Sequence, residues 1–176
     1  MLHATTFRFV AKREVNLKAL FPILLIAGVI QGAPGLAQPS ASSPLLGSWT
    51  LDVIQSEIPP EARPKSVTIT YSDMGGGKWS TNVAIVGGDG TKINATGTYP
   101  LDGLPAPGTG YANVDTVAVK VPAPNVMIAA FYKGGMPRST RTYIVSADGK
   151  TMTENIVWLN INGNPEIATN LFNRLK

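Results

Sequence analysis

From Leu45 onward, apolar and polar residues alternate over short runs broken by glycine, proline and aspartate. Trp49, Leu51 and Val53 alternate with Thr50 and Asp52, and Val67, Ile69 and Tyr71 alternate with Ser66, Thr68, Thr70 and Ser72. A period of two places one set of side chains on each face of a half-buried strand. The same pattern predicts strands over Lys78–Val86, Thr91–Tyr99, Asp115–Val121, Val126–Tyr132, Arg138–Val145, Thr151–Leu159 and Glu166–Arg174. Between them, Asp73–Gly77, Gly87–Gly90, Pro122–Asn125, Ser146–Lys150 and Asn160–Pro165 carry the residues that tight turns require. Ile58–Pro64 holds three prolines and predicts a loop with room for one helical turn, because proline supplies no ladder donor. Pro100–Asn113, rich in proline and glycine, predicts an irregular segment. No long helical pattern interrupts the series. The fold expected is all-β, an up-and-down antiparallel barrel of about 8–10 strands that closes and so hides its edges.

The first 37 residues read differently. Arg8, Lys12, Arg13 and Lys18 precede an apolar stretch, Ala19–Ile30, and small residues follow up to Ala37. A basic region, a short apolar region and a small-x-small exit are the parts of a secretory signal peptide. Gly35 and Ala37 fit the two small positions, so cleavage is expected after Ala37. A membrane anchor would need roughly 20 apolar residues, more than this stretch provides. The chain thus divides into a signal peptide (1–37), a flexible lead-in (38–45) and one barrel domain (46–176). The expected location is periplasmic or secreted, with membrane contact only transiently through the leader.

Removing the leader changes the electrostatics and the chemistry. It carries four of the 15 basic residues and one of the 11 acids, which leaves a net charge of +1. No basic run or stripe survives, so a nucleic-acid partner is not expected. His3, the one histidine, lies in the leader, and the chain has no cysteine. Imidazole and thiol chemistry are therefore missing from the remainder, and no cofactor, metal ligand set or catalytic residue is assigned. The fold must stand on its core without disulfides, which a domain of this size can do by burying roughly two-thirds of its unfolded surface. Most acids sit in glycine-containing turns, where aspartate serves the backbone. Glu154 is the exception, mid-strand between Thr153 and Asn155. It is expected outward and solvated; the alternative is an inward carboxylate facing Arg141, if the hairpin register allows it.

Gly47-Ser48-Trp49 resembles the Gly-x-Trp that begins the first strand of lipocalins. Gly47–Val53, Ser56 and Pro64–Ile69 resemble the first two strands of small exported bacterial lipocalin-like proteins. Their usual form is Gly-Thr-Trp-Lys-Leu-Asn, a serine-containing loop and Pro-Lys-Ser. Tyr99–Pro105, Asp115–Lys120 and Ser146–Thr153 are similar to later stretches of that group. The chain departs from the group at Ile58, where an aromatic is usual, and in its longer Pro100–Asn113 segment. The resemblance implies a lipocalin-like barrel closed structurally by Gly47 and Trp49, with Arg174 covering the indole through a cation–π contact.

The function expected is non-covalent binding of a small apolar or amphipathic molecule. Trp79, Tyr132, Arg141, Tyr143 and Trp158 are the candidate lining residues. The alternative is a filled barrel that meets a protein partner, suggested by the two-faced apolar strand Val126–Tyr132; a homodimer would also cover that face. An enzyme without histidine is the remaining reading.

Overall fold

The computed structural model describes residues 43–176, so the signal peptide and residues 38–42 of the lead-in lie outside the described residues. Ten strands follow one another: β1 (Gly47–Leu51), β2 (Ser66–Asp73), β3 (Lys78–Val86), β4 (Lys92–Pro100), β5 (Asp102–Thr109), β6 (Thr116–Ala123), β7 (Val126–Lys133), β8 (Met136–Val145), β9 (Thr151–Leu159) and β10 (Pro165–Arg174). Each pairs antiparallel with the next, and β1 pairs with β10 to close the barrel. The closing register sets Trp49 against Arg174, Thr50 against Asn173 and Leu51 against Phe172. The alternation read in the sequence is the alternation of the wall. Trp49, Ile69, Tyr71, Val83, Met127, Ala129 and Phe131 point inward and are buried.

The turns keep the chemistry expected of them. Asp148 accepts from the Ser146 hydroxyl at 2.7 Å and from the Lys150 amide at 3.0 Å, between β8 and β9. Gly149 there has φ 70°, in the left-handed region. The loop between β1 and β2 contains one 3-10 turn, Pro60–Ala62.

Pro100–Asn113 is not irregular throughout, because Asp102–Thr109 forms β5. Its seam with β4 is short, Thr96 against Thr109 and Gly97 against Gly108. The prolines explain this. The Gly108 amide donates to Asp115 O at 3.0 Å, toward β6. Amide directions alternate along a strand, so positions 105 and 107 face β4, where Pro105 and Pro107 have no donor to give. The Tyr99 side chain lies over this gap, and a Cβ at Gly97 would come within 2.0 Å of its hydroxyl. Both Gly97 and Gly108 therefore hold the ring by having no side chain of their own.

Connections β1–β2, β3–β4, β5–β6, β7–β8 and β9–β10 share one end of the meander, and the other connections share the opposite end. That opposite end is closed. Leu45 and Trp49 are both fully buried there. Residues 43–45 thus belong to the packed domain and not to a flexible lead-in. Ser43 donates its hydroxyl to Pro124 O at 2.7 Å, and Leu45 O accepts the Trp49 indole N–H at 2.9 Å. On β7 the outward Ile128 is 38% exposed, but Lys120 and Thr142 stand opposite it on the flanking strands and interrupt the apolar face.

Candidate ligand cavity

Arg174 organises the closed end. Its guanidinium carbon lies 4.1 Å from the Trp49 ring centroid. Its Nε donates to Gly149 O at 2.6 Å, Nη1 to Leu46 O at 2.8 Å and Nη2 to Pro44 O. Gly47 is needed beside it for two reasons. Its φ is 109°, and a Cβ would sit 3.0 Å from Arg174 Nη1. Gly47, Trp49 and Arg174 therefore form one clamp, with charge and ring face in contact and three backbone acceptors satisfied.

The interior is not filled toward the other end. A cavity of about 340 Å³ runs from the middle of the barrel to the end where Ile58 and Pro64 of the β1–β2 loop and Tyr111 of the β5–β6 loop complete its wall. The wall is mostly aliphatic and aromatic. Tyr71 and Tyr143 meet edge to face across the lumen with centroids 6.1 Å apart, and Tyr111 meets Phe131 at 6.4 Å.

One polar cluster interrupts this wall. The β8–β9 register sets Tyr143 against Glu154, and the β9–β10 register sets Glu154 against Asn170. Glu154 therefore points inward and is 2% exposed, not outward as expected from its charge. Both of its oxygens are engaged. Oε1 accepts from Arg141 Nη1 at 3.1 Å, and Oε2 accepts from Asn170 Nδ2 at 2.8 Å. Arg141 is anchored from the other side by Phe131, whose ring centroid lies 4.7 Å from the guanidinium carbon. A third of the Arg141 side chain remains accessible, on the face that lines the cavity. Two buried atoms of the cluster, Arg141 Nε and Asn170 Oδ1, have no hydrogen-bond partner.

Burial pushes the Tyr71 and Tyr143 phenols well above their ordinary value, and the Glu154 charge adds to the effect. Burial also pushes Tyr111 up to about 12, partly offset by Arg141. These hydroxyls stay neutral through the physiological range. The cavity thus offers apolar surface, neutral hydroxyls and one internally matched ion pair.

Of the five lining residues expected from sequence, the structure brings Arg141 and Tyr143 together in the wall. Trp79 points inward and is buried, but its position at the start of β3 puts it in the closed end, outside the cavity lining. Tyr132 follows the inward Phe131 at a register shift and is absent from the wall. Trp158 shares the alternation of Met152, Glu154 and Ile156 but lies one pleat beyond the lined region. Tyr71, Tyr111, Phe131 and Asn170 were not anticipated as lining residues. A signal existed for Glu154: Met152 and Ile156 flank it at the strand period, on the inward face.

No family model matches the chain, and no curated protein matches it in sequence. Solved structures do match. A point mutant of the fluorescent protein UnaG aligns at TM-score 0.52 and 14% identity over 76% of this chain and 97% of its own. Rv2717c from M. tuberculosis aligns at TM-score 0.51 and 15% identity over 80% of this chain and 98% of its own. A fatty-acid-binding protein of Echinococcus granulosus covers 98% of its own length at 10% identity and TM-score 0.46. The fold is a closed ten-stranded antiparallel barrel, and the UnaG mutant and Rv2717c share it. At these identities the likeness concerns the fold.

Proposed function

We propose that this chain is a binding barrel that shelters one small apolar or amphipathic molecule in its interior. The observation that carries the reading is the unfilled cavity. Its volume of about 340 Å³ is at the small end of the range for ligand sites, roughly 300–1,000 Å³. Its wall combines a large aliphatic and aromatic surface with one localised polar cluster, the arrangement that fixes an amphiphile by burial and orients it by a few polar contacts. We further propose that the barrel acts without catalysis, its one acid and one base in the wall being engaged with each other. We propose that it works in the periplasm or outside the cell after cleavage following Ala37.

Binding is tested with Nile red, a neutral dye that brightens in apolar surroundings. Saturable brightening is expected for the purified protein. Ala129→Phe, which places a ring in the cavity beside Arg141, should weaken it by about tenfold, roughly 1.4 kcal/mol, while the β-sheet circular dichroism persists. Equal dye binding by both proteins would place the dye elsewhere and remove the cavity from the function. N-terminal sequencing of protein recovered from the host periplasm tests the leader, with Gln38 expected as the first residue.

A further inference from the structure

Resting on the binding-barrel reading, we infer that the cavity selects amphiphiles with a neutral polar head, such as a primary amide or an alcohol, over those with a free carboxylate. The inference comes from the charge balance of the wall. Among the described residues, Arg141 and Glu154 are the charged groups that line the cavity, and they lie 3.1 Å apart. Their sum is zero before any ligand enters.

An arginine in an apolar cavity would ordinarily be an anion receptor. Here the anion is already present and built into the chain. Glu154 comes from β9, is 2% exposed, and is held on its second oxygen by Asn170 from β10. It cannot turn away from Arg141 without leaving the Asn170 amide and its own charge unpaired in an apolar surround. A ligand carboxylate reaching the accessible face of Arg141 would be a second anion on one guanidinium. It would leave the closed interior with a net negative charge and bring the new charge against Glu154. A neutral head keeps the balance.

The cluster also has hydrogen-bonding capacity that such a head can use. Arg141 donates to Glu154 from Nη1, its Nε has no partner, and its side chain is a third accessible. Asn170 Oδ1, on the other side of Glu154, is a buried acceptor with no partner. A head that both accepts and donates, as an amide or a hydroxyl does, complements this pair. An ionised carboxylate can only accept. The Tyr71 and Tyr143 phenols, raised by burial and by Glu154, remain un-ionised neighbours and add no countercharge.

The test is competition against bound Nile red by dodecanamide, dodecan-1-ol and dodecanoate at pH 8. Wild-type protein should release the dye at amide or alcohol concentrations at least about tenfold below those needed with dodecanoate. Glu154→Gln removes the internal anion and keeps the shape: its oxygen still accepts from Arg141, and a flip of the Asn170 amide lets Oδ1 accept from the new amide nitrogen. It should improve dodecanoate by at least about tenfold and bring it level with or ahead of the amide. Dodecanoate competing as well as the amide on wild-type protein would overturn the inference even if the variant failed to fold. An unchanged preference in folded Glu154→Gln would do the same. In both results the dye still binds and is displaced, so the cavity reading stands. Absence of dye binding would overturn that reading, and this inference with it.

Discussion

Arg174 and Arg141 each lie against an aromatic ring, at 4.1 Å from Trp49 and 4.7 Å from Phe131. Beyond that they differ. Arg174 donates to three backbone carbonyls from two segments and closes one end of the barrel. Arg141 donates to one carboxylate, keeps a third of its side chain accessible and leaves Nε without a partner. The first arginine is spent on structure. The second is charge-neutralised but not saturated, which is the state of a group placed to meet something else. Burial and an aromatic neighbour are common to both, so neither distinguishes a clamp from a site. The distinction lies in what the remaining donors reach.

The largest test of this contrast is Trp49→Ala. It removes the fully buried ring under Arg174 and should cost about 3–5 kcal/mol in urea unfolding. An unchanged melting temperature would end the structural reading of the clamp. Glu154→Ala comes next. It strands Arg141 and should cost about 2–3 kcal/mol, below the range for a fully buried pair because Arg141 is partly accessible. The double change Arg141→Met, Glu154→Leu should recover most of that loss, since an apolar pair has no unpaired charge. If the double variant is weaker than the single one, the pair is a structural element like the clamp, and the contrast disappears. Gly47→Ala should cost about 1–2 kcal/mol by combining strain at positive φ with crowding of Arg174. Its effect should fall on stability and leave Nile red affinity intact.

The smallest effect at neutral pH belongs to Tyr111. The folded barrel keeps its phenol protonated up to about 12, against an ordinary value of 10.0, because burial disfavours the phenolate. Its contribution to stability is therefore whole below pH 10 and is lost as the pH rises toward about 12. Thermal melts of wild-type protein should decline across that window, and Tyr111→Phe should flatten the decline. A slope unchanged by the substitution would place Tyr111 in water and open the wall at that point.

Much of the barrel was legible along the chain because a strand's two faces are written locally. Trp49 and Leu51, or Tyr143 and Val145, declare an inward set without knowing their neighbours. The turns were legible for the same reason, since Gly149 answers a backbone angle set by its own hairpin. β5 was not, because two prolines outweighed any local strand signal. That strand is held by pairing with β6 and by the Tyr99 ring over Gly97 and Gly108. Glu154 was misjudged because a carboxylate's preference for water is a local rule. Arg141, Asn170 and the Tyr143 opposite it are supplied by other strands.

The amino-acid order by itself determined the strands, most of the turns, the Gly47–Trp49 opening and the absence of thiol and imidazole from the barrel. The tertiary structure decided which inward residues meet. Trp79 became part of the closed end, Trp158 fell beyond the cavity, and Arg141 and Tyr143 came to share a wall with Tyr71 from the other side of the lumen. The physical reason is that inward or outward follows from a two-residue period, whereas height along the barrel and neighbours across it follow from ten registers and one closure between β1 and β10.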